Sequence, residues 1–429
     1  MPRVSIIVII YKVERFLKRC LESLVTQDYE NVEIICVVGD ENAPDEEQGE
    51  TETTAKKDGG SEGTEAAAAK SDGGKEEVKT GNNVLRYYGE NRQSCLEMCE
   101  DYAKRDERVR VIRQKPQGTA MARNAGLDAA TGELIAFVDG DDFIEPTMIS
   151  VMVDALQKNG ADISIVGKFL EYENCADIVP YNGDKETDTR VLTRAEACEI
   201  IFYQTGFFLH IWDKLYKREL FEDIRFDKGK KVEDRYVTFK LLMKAEKLVF
   251  SPSPQYHFRI SEDSGSKVED NLAKSFEADL LICKEVMDYC FGSRSQTCER
   301  RTEEVAEPAS GSISDSHTDN GEKFERLLRA GEFFLAYEAM SVIQNDMLYG
   351  TYSDEHDKEY RNYVRTYAKS VRENQRVGWG VKQKVWLTLK HPKLLAWLTK
   401  RRRKKFLKTH IPYKTDVNWS EIYRKQGVV

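Results

Sequence analysis

Three acidic residues in one short stretch are the sharpest chemical signal in the sequence. The segment FVDGDDFIEP carries Asp139, Asp141 and Asp142 directly after the apolar run Glu133 to Val138, whose composition predicts a buried strand. Carboxylates at i and i+2 across a glycine can face one hard cation, and Gly140 lets the backbone turn tightly enough for both to do so. Such a cation can bridge diphosphate oxygens and stabilise the charge that develops on a nucleotide leaving group. The same residues also fit a solvated Asp-Gly turn, and it is their place at the exit of a central strand that favours the cation. A second acidic pair, Glu233 and Asp234 in KKVEDRYV, opens a predicted helix, where the field of the helix N-terminus alone would favour it. The nine cysteines are odd in number and scattered without CxxC or His-rich spacing. They suggest neither a zinc site nor a disulfide framework, and a reducing cytosol fits.

These residues need elements to hold them. Val4 to Ile10 is a continuous β-branched run, the mark of a strand buried on both faces, and Phe16, Leu17, Cys20, Leu21 and Leu24 follow at helical spacing. Val32 to Val38 is a second buried strand. A strand, a helix and a strand within so short a span make a βαβ opening, which predicts an α/β sheet whose active face lies at the C-terminal ends of its strands. Further elements are expected as a helix over Ser94 to Lys104, a strand over Arg108 to Arg113, a helix near Thr119 to Ala130 and a helix after Pro146. A short strand over Asp162 to Val166, a helix from Thr193, a helix over Glu233 to Ala245 and a strand before QYHFR complete this part.

Two stretches break the pattern. From Glu41 to Asn83 the chain holds 12 acids, five lysines and almost nothing large and apolar, so it reads as a disordered acidic insertion. Gly292 to Glu322 reads as a flexible connector between helical regions. The length of 429 residues suggests two or three domains, and 40% hydrophobic with 32% charged residues excludes a fibrous or mainly membrane-embedded chain. The apolar start MPRVSIIVII is short for a signal peptide, and no apolar stretch approaches the ~20 residues of a spanning helix.

Several segments, in order, resemble the family 2 glycosyltransferases of the GT-A fold. They are VSIIVIIYKVERFLKRCLESLVTQDYENVEIICV, then QKPQGTAMARNAGLDAATGELIAFVDGDD, then IWDKLYKRELFEDIRFDKGKKVEDRYVTFKLL, covering about Val4 to Ser266 outside the insertion. The resemblance implies a metal-dependent, inverting transferase that adds one sugar per encounter, the processive QxxRW signature being absent. It implies that Asp139 and Asp141 hold Mg²⁺ or Mn²⁺, with Asp139 near the ribose and Asp142 supporting the loop or the donor sugar. Tyr11 would lie near the nucleotide base, Arg123 and Asn124 would help hold the donor or the acidic loop, and His257 and Arg259 would come from a closing loop onto the diphosphate. Asp234 would be the general base, with Glu233 as its neighbour or stand-in, and Trp212, Asp213 and Lys214 would shape the acceptor pocket. Two departures stand out. The first strand runs into Ile9, Ile10, Tyr11, Lys12 where Pro-x-Tyr-Asn is common, and the second ends Val37, Val38, Gly39, Asp40, Glu41 where an Asp pair reads the uracil. Asp40 serves that role only if the loop shifts by about one residue.

The net charge of −9 hides an asymmetry, because Arg372 to Lys408 holds 13 Lys/Arg and one acid. Its sequence, RENQRVGWGVKQKVWLTLKHPKLLAWLTKRRRKKFLK, interleaves Trp379, Trp386 and Trp397 with leucines and predicts an in-plane interfacial helix pair broken at Pro392. An anionic membrane surface is the expected partner, with nucleic acid and a merely solvated charged face as alternatives. The expected organisation is a GT-A catalytic domain over 1–265, a helical extension over 266–370 and a basic docking tail over 371–429. The expected activity is transfer from a nucleotide-sugar, a UDP-sugar first, to a saccharide or lipid-linked acceptor in cell-surface polysaccharide assembly, at the cytoplasmic face of the membrane. The alternative is a catalytically silent relative acting as a membrane-docked scaffold.

Overall fold

In the computed structural model the chain begins as the βαβ pattern requires, with β1 (Val4–Ile10), α1 (Glu14–Val25) and β2 (Val32–Gly39). The structure describes residues 1–44, 93–172, 178–181, 188–229, 232–260, 278–285, 287, 319–349 and 354–409. Most of the acidic insertion and of the 292–322 connector therefore lies outside the described residues.

The chain continues through α2 (Cys95–Arg105), β3 (Val109–Gln114), α3 (Thr119–Ala129), β4 (Leu134–Asp139), β5 (Phe143–Ile144) and α4 (Met148–Asn159). Then come β6 (Ile163–Tyr172), β7 (Ile178–Tyr181), β8 (Arg190–Leu192), α5 (Arg194–Tyr203), β9 (Lys214–Lys217), α6 (Glu233–Lys244) and β10 (Leu248–Ile260). One sheet runs in the order β3-β2-β1-β4-β9-β6-β10-β5, with β7 on β6 and β8 on β10. Its first four strands are mutually parallel, and β9 then enters antiparallel between β4 and β6. In the parallel half β1, β2 and β4 are almost wholly buried, as continuous β-branched runs demand, whereas the edge strand β3 is mostly half-buried. Leu17, Cys20, Leu21 and Leu24 of α1 pack as one apolar stripe. Ser94 with Glu97, and Thr193 with Glu196, form capping boxes that start α2 and α5.

One carboxylate lies in the sheet itself. Glu33 of β2 is buried near the N-terminal ends of the strands and accepts from Ser5 Oγ (2.5 Å), Thr131 N (2.7 Å), Thr131 Oγ1 (2.8 Å) and Gly132 N (3.1 Å). Arg110 Nη1 donates to its second oxygen at 3.2 Å. Every lone pair that faces protein is thus used, which is the condition for burying such a group.

Four helices follow: α7 (Asp319–Tyr349), α8 (Asp354–Glu373), α9 (Trp379–Lys390) and α10 (Pro392–Thr409). They share a core with the sheet domain through α5. Phe202 meets Phe334 at 5.6 Å and Tyr203 stacks on Phe333 at 5.5 Å between ring centroids. Asn374 Nδ2 donates to Tyr203 Oη (2.8 Å), and Glu199 accepts from Arg326 (2.8 Å) and from Arg376. No helix among the described residues is long and apolar enough to cross a membrane.

Candidate active site

The acidic loop sits where a parallel sheet offers a ligand its access, at the C-terminal end of β4 beside the end of β1, with Asp139 in register with Ile9. Gly140 is required there: its N–H donates to Ile9 O (3.0 Å), and a Cβ would stand 2.9 Å from that same oxygen. Asp142 is buried and fully engaged, accepting from Tyr256 Oη (2.8 Å) and from Arg259 N (2.7 Å). Tyr256 Oη also accepts from Asp139 N at 3.2 Å. Asp142 therefore fixes the loop.

The electrostatics point the same way. Burial pushes the Asp139 carboxyl up to about 6, further raised by Asp141 and Asp234 and only partly opposed by Arg123. Burial likewise raises Asp141 and, reinforced by its two acidic neighbours, Asp142. The loop holds more negative charge than the protein around it neutralises.

Arg123, on α3, is the junction of the site. It is buried, donating from Nη1 to Glu233 Oε1 (2.7 Å) and from Nη2 to Asp139 Oδ1 (3.2 Å). Glu233 also accepts from Thr119 Oγ1. One guanidinium thus ties the start of α6 to the acidic loop, and Asp234, half-buried beside Glu233, comes near enough to raise the Asp139 pKa. Glu233 is bound to Arg123 and Thr119 through the same oxygen, which ties the start of α6 to this junction.

Several expected ligand contacts take other positions. Asn124 spends its amide on the backbone of Phe226, Nδ2 donating to Phe226 O and Oδ1 accepting from Phe226 N, both at 2.9 Å. It secures the segment before α6 rather than a donor. His257 and Arg259 lie on strand β10, not on a loop. His257 is sandwiched between Phe143 (4.0 Å) and Phe169 (4.5 Å), with Nε2 2.6 Å from Glu145, and burial lowers its pKa. Arg259 braces the acidic loop, its Nε donating to Asp141 O at 2.7 Å. Asp213 and Lys214 are a buried ion pair, and Lys214 Nζ also donates to Phe208 O (2.9 Å) and His210 O (2.6 Å). They hold up the 208–213 segment from beneath. Trp212 is buried, stacked on Tyr256 (4.3 Å), His210 (4.8 Å) and Phe258 (5.2 Å), so the half-buried His210 and Phe258 are what that stack presents outward.

The base-side loops also differ from expectation. Asp40 accepts from Arg113 Nε (2.5 Å) and from Asn42 N (2.9 Å), and these bonds, the backbone one first, hold its pKa low. Its carboxylate is committed to its own loop and to Arg113 of the neighbouring strand β3. Tyr11 stands exposed over Gly39, where a Cβ would come 2.9 Å from its ring, and its hydroxyl donates to Glu41 (3.3 Å). Lys12 takes a left-handed backbone at φ 54 and pairs with Glu41 at 2.9 Å, closing with an ion pair a loop that an asparagine amide would otherwise fix.

Tyr256 and Thr119 are the functional neighbours that sequence reading passed over. Tyr256 falls in QYHFR, just past an expected strand, and Thr119 at a helix start, and nothing in their spacing indicates a bond to an acid over a hundred residues away.

The model of glycosyl transferase family 2 matches residues 5–61 and 89–225. The glycosyltransferase EpsJ of Bacillus subtilis is 29% identical over 297 residues, which are 66% of this chain and 70% of that one. The glycosyltransferase GlyA of Streptococcus pneumoniae is 27% identical over 272 residues, 62% of this chain and 32% of GlyA, so the match spans about a third of that longer protein. Among solved structures, S. aureus TarS 1–349 aligns with a TM-score of 0.48 at 16% identity, over 95% of this chain and 91% of that one. Over residues 5–61 and 89–225, which hold the parallel half-sheet and the acidic loop, the chain is similar to glycosyl transferase family 2.

Proposed function

We propose that this protein is an inverting, divalent-metal-dependent glycosyltransferase that moves one sugar from a nucleotide-sugar, UDP-sugars first, to a saccharide or lipid-linked saccharide acceptor. The observation that carries this reading is the Arg123 bridge, which draws Asp139 and the start of α6 together and sets Asp234 at the edge of an under-neutralised acidic loop. Asp139 and Asp141 would hold Mg²⁺ or Mn²⁺. Among the described residues no three acids, histidines or cysteines enclose a cation. Two carboxylates would leave the rest of a hard cation's coordination to donor oxygens and water, which suits Mg²⁺. When bound, such an ion supplies charge stabilisation to the departing nucleoside diphosphate.

The residues of the chain do the rest. Asp234 accepts the proton of the acceptor hydroxyl as its oxygen forms a bond to the anomeric carbon and the bond from that carbon to the diphosphate oxygen breaks, giving inversion. Arg123 positions that base through Glu233, and Arg259 with Tyr256 keeps the acidic loop in shape. The setting is cell-surface polysaccharide assembly at the inner face of the membrane, where residues 372–408 hold the enzyme peripherally. A silent scaffold is the competing reading, and the commitment of Asp40 to Arg113 favours it.

The test is hydrolysis of a panel of nucleotide-sugars with Mn²⁺. Turnover is expected for one donor, falling at least about a hundredfold in Asp141→Ala and in Asp234→Asn. Unchanged turnover in both variants would defeat the assignment, and absence of turnover together with no UDP binding by calorimetry would favour the scaffold.

A further inference from the structure

The structure describes four tryptophans, and they divide sharply. Trp212 is 3% exposed, whereas Trp379, Trp386 and Trp397 are 75%, 49% and 53% exposed, with Leu394 beside them at 45%. Isolated exposed apolar residues are ordinary, but these four fall within one pair of consecutive helices. Trp379 and Trp386 are seven apart on α9, hence on one face, and Lys390 continues it one turn on. The buried Val385 and Thr388 take the opposite side, toward the rest of the protein. On α10, Leu394, Trp397 and Arg401 repeat the arrangement at i, i+3 and i+7, with the Arg401 guanidinium 5.2 Å from the Trp397 ring centroid. The segment 372–408 that contains them has 13 Lys/Arg and one acid.

Such a surface is costly unless covered, because each large aromatic side chain left in water forfeits its burial. Its coat of one charge sign names the cover. A nucleic acid would take the cations but offer no apolar phase to Trp379, Trp386 and Leu394. A second copy would bring like charge against like. We infer that the outward face of α9 and α10 is an in-plane docking surface for anionic phospholipid, with the three tryptophans and Leu394 in the headgroup layer and Lys390 and Arg401 on lipid phosphates. This deepens the peripheral placement of the proposed function and rests on that placement, not on the catalytic assignment.

The test uses the full chain with phosphatidylcholine vesicles, with and without phosphatidylglycerol. The protein is expected to sediment with the anionic vesicles only, with a blue shift of tryptophan emission and quenching by brominated acyl chains. Trp386→Ser with Trp397→Ser is expected to lower partitioning about tenfold or more. Lys390→Glu with Arg401→Glu, which keeps every tryptophan, is expected to lower it about fivefold per charge and serves as the second variant should the first fail to fold. Donor hydrolysis in vesicle-free solution stays at the wild-type rate in both, which separates a failure here from a failure of the catalytic reading. Equal partitioning of wild type and variants, no vesicle binding, binding to duplex DNA or RNA in place of vesicles, or self-association removed by the same substitutions would each overturn the inference.

Discussion

Two buried acidic centres lie at opposite ends of the same parallel strands, and their chemistry diverges. Burial pushes the Glu33 pKa up, yet the bonds from Ser5 and Thr131, with Arg3 nearby, outweigh it and leave the carboxylate below its ordinary value. Burial pushes Asp139 up as well, and one arginine shared with Glu233 does not offset it against two acidic neighbours. The N-terminal carboxylate is satisfied and serves the fold. The C-terminal cluster is held short of satisfaction, and that deficit is what a cation or a diphosphate-bound metal can use.

The largest test of this contrast exchanges the two acids. Glu33→Ala would strip Thr131 N of its acceptor and leave Gly132 N with Ser5 Oγ and Arg110 Nη1 with Ala129 O alone, in a buried setting, and stability should fall by about 3–5 kcal/mol. Turnover per folded molecule should hold. Asp139→Asn should do the reverse, dropping turnover at least about a hundredfold while stability stays level or rises, since Arg123 retains Glu233. Urea melts and turnover on both variants decide it. Equal destabilisation by the two would erase the distinction.

The pH dependence should then differ in sign. Glu33 titrates lower when folded, so its contribution is complete above its unfolded value near 4.5 and is lost as pH falls below that. Asp139 titrates near 6 when folded against 3.8 unfolded, so stability associated with its protonated form is complete below 3.8 and is lost as pH rises toward 6. That loss is on the order of 3 kcal/mol. In chelator, Asp139→Asn should exceed wild type in stability at pH 7, and the gap should close by about pH 4. A gap that does not change with pH would show that Asp139 is not the strained group, and Mn²⁺ should narrow it at pH 7 by binding the wild type alone.

Much of this was legible in the residues themselves. The βαβ opening, the strand before FVDGDD and the helix opened by Glu233 and Asp234 all stand within a residue or two of their expected bounds, because continuous apolar runs and helical spacing are local signals. The antiparallel insertion of β9 between β4 and β6 was not, since strand order is set by contacts distant in sequence. For the site, position along the chain identified the acidic loop but not its supports. Asn124 and His257 look like ligands in sequence because both can bind one, yet a backbone and an aromatic sandwich took them first. Lys214 shows the same limit. It reads as part of an acceptor pocket until a neighbouring aspartate and two carbonyls are found folded around it.

The smallest expected effect sharpens the comparison close to the chemistry. Asn124 neighbours Arg123 on α3, so proximity alone would make it part of the reacting centre. Its amide, however, is as fully used as the Glu33 carboxylate, with both bonds on the backbone of Phe226. Phe226 packs edge-on to Phe137 at 5.6 Å and lies 5.5 Å from the Arg123 guanidinium. Asn124→Ala should therefore cost about 1–2 kcal/mol of stability, the price of two unsatisfied backbone groups partly reached by water. Any effect on turnover would pass through a shifted Phe226 and Arg123. That predicts a lowered kcat of about threefold to tenfold with the donor KM unchanged, since no donor contact is lost. A raised KM with kcat intact would place the Asn124 amide on the donor, and the rule that satisfied groups serve the fold would then stop short of this helix.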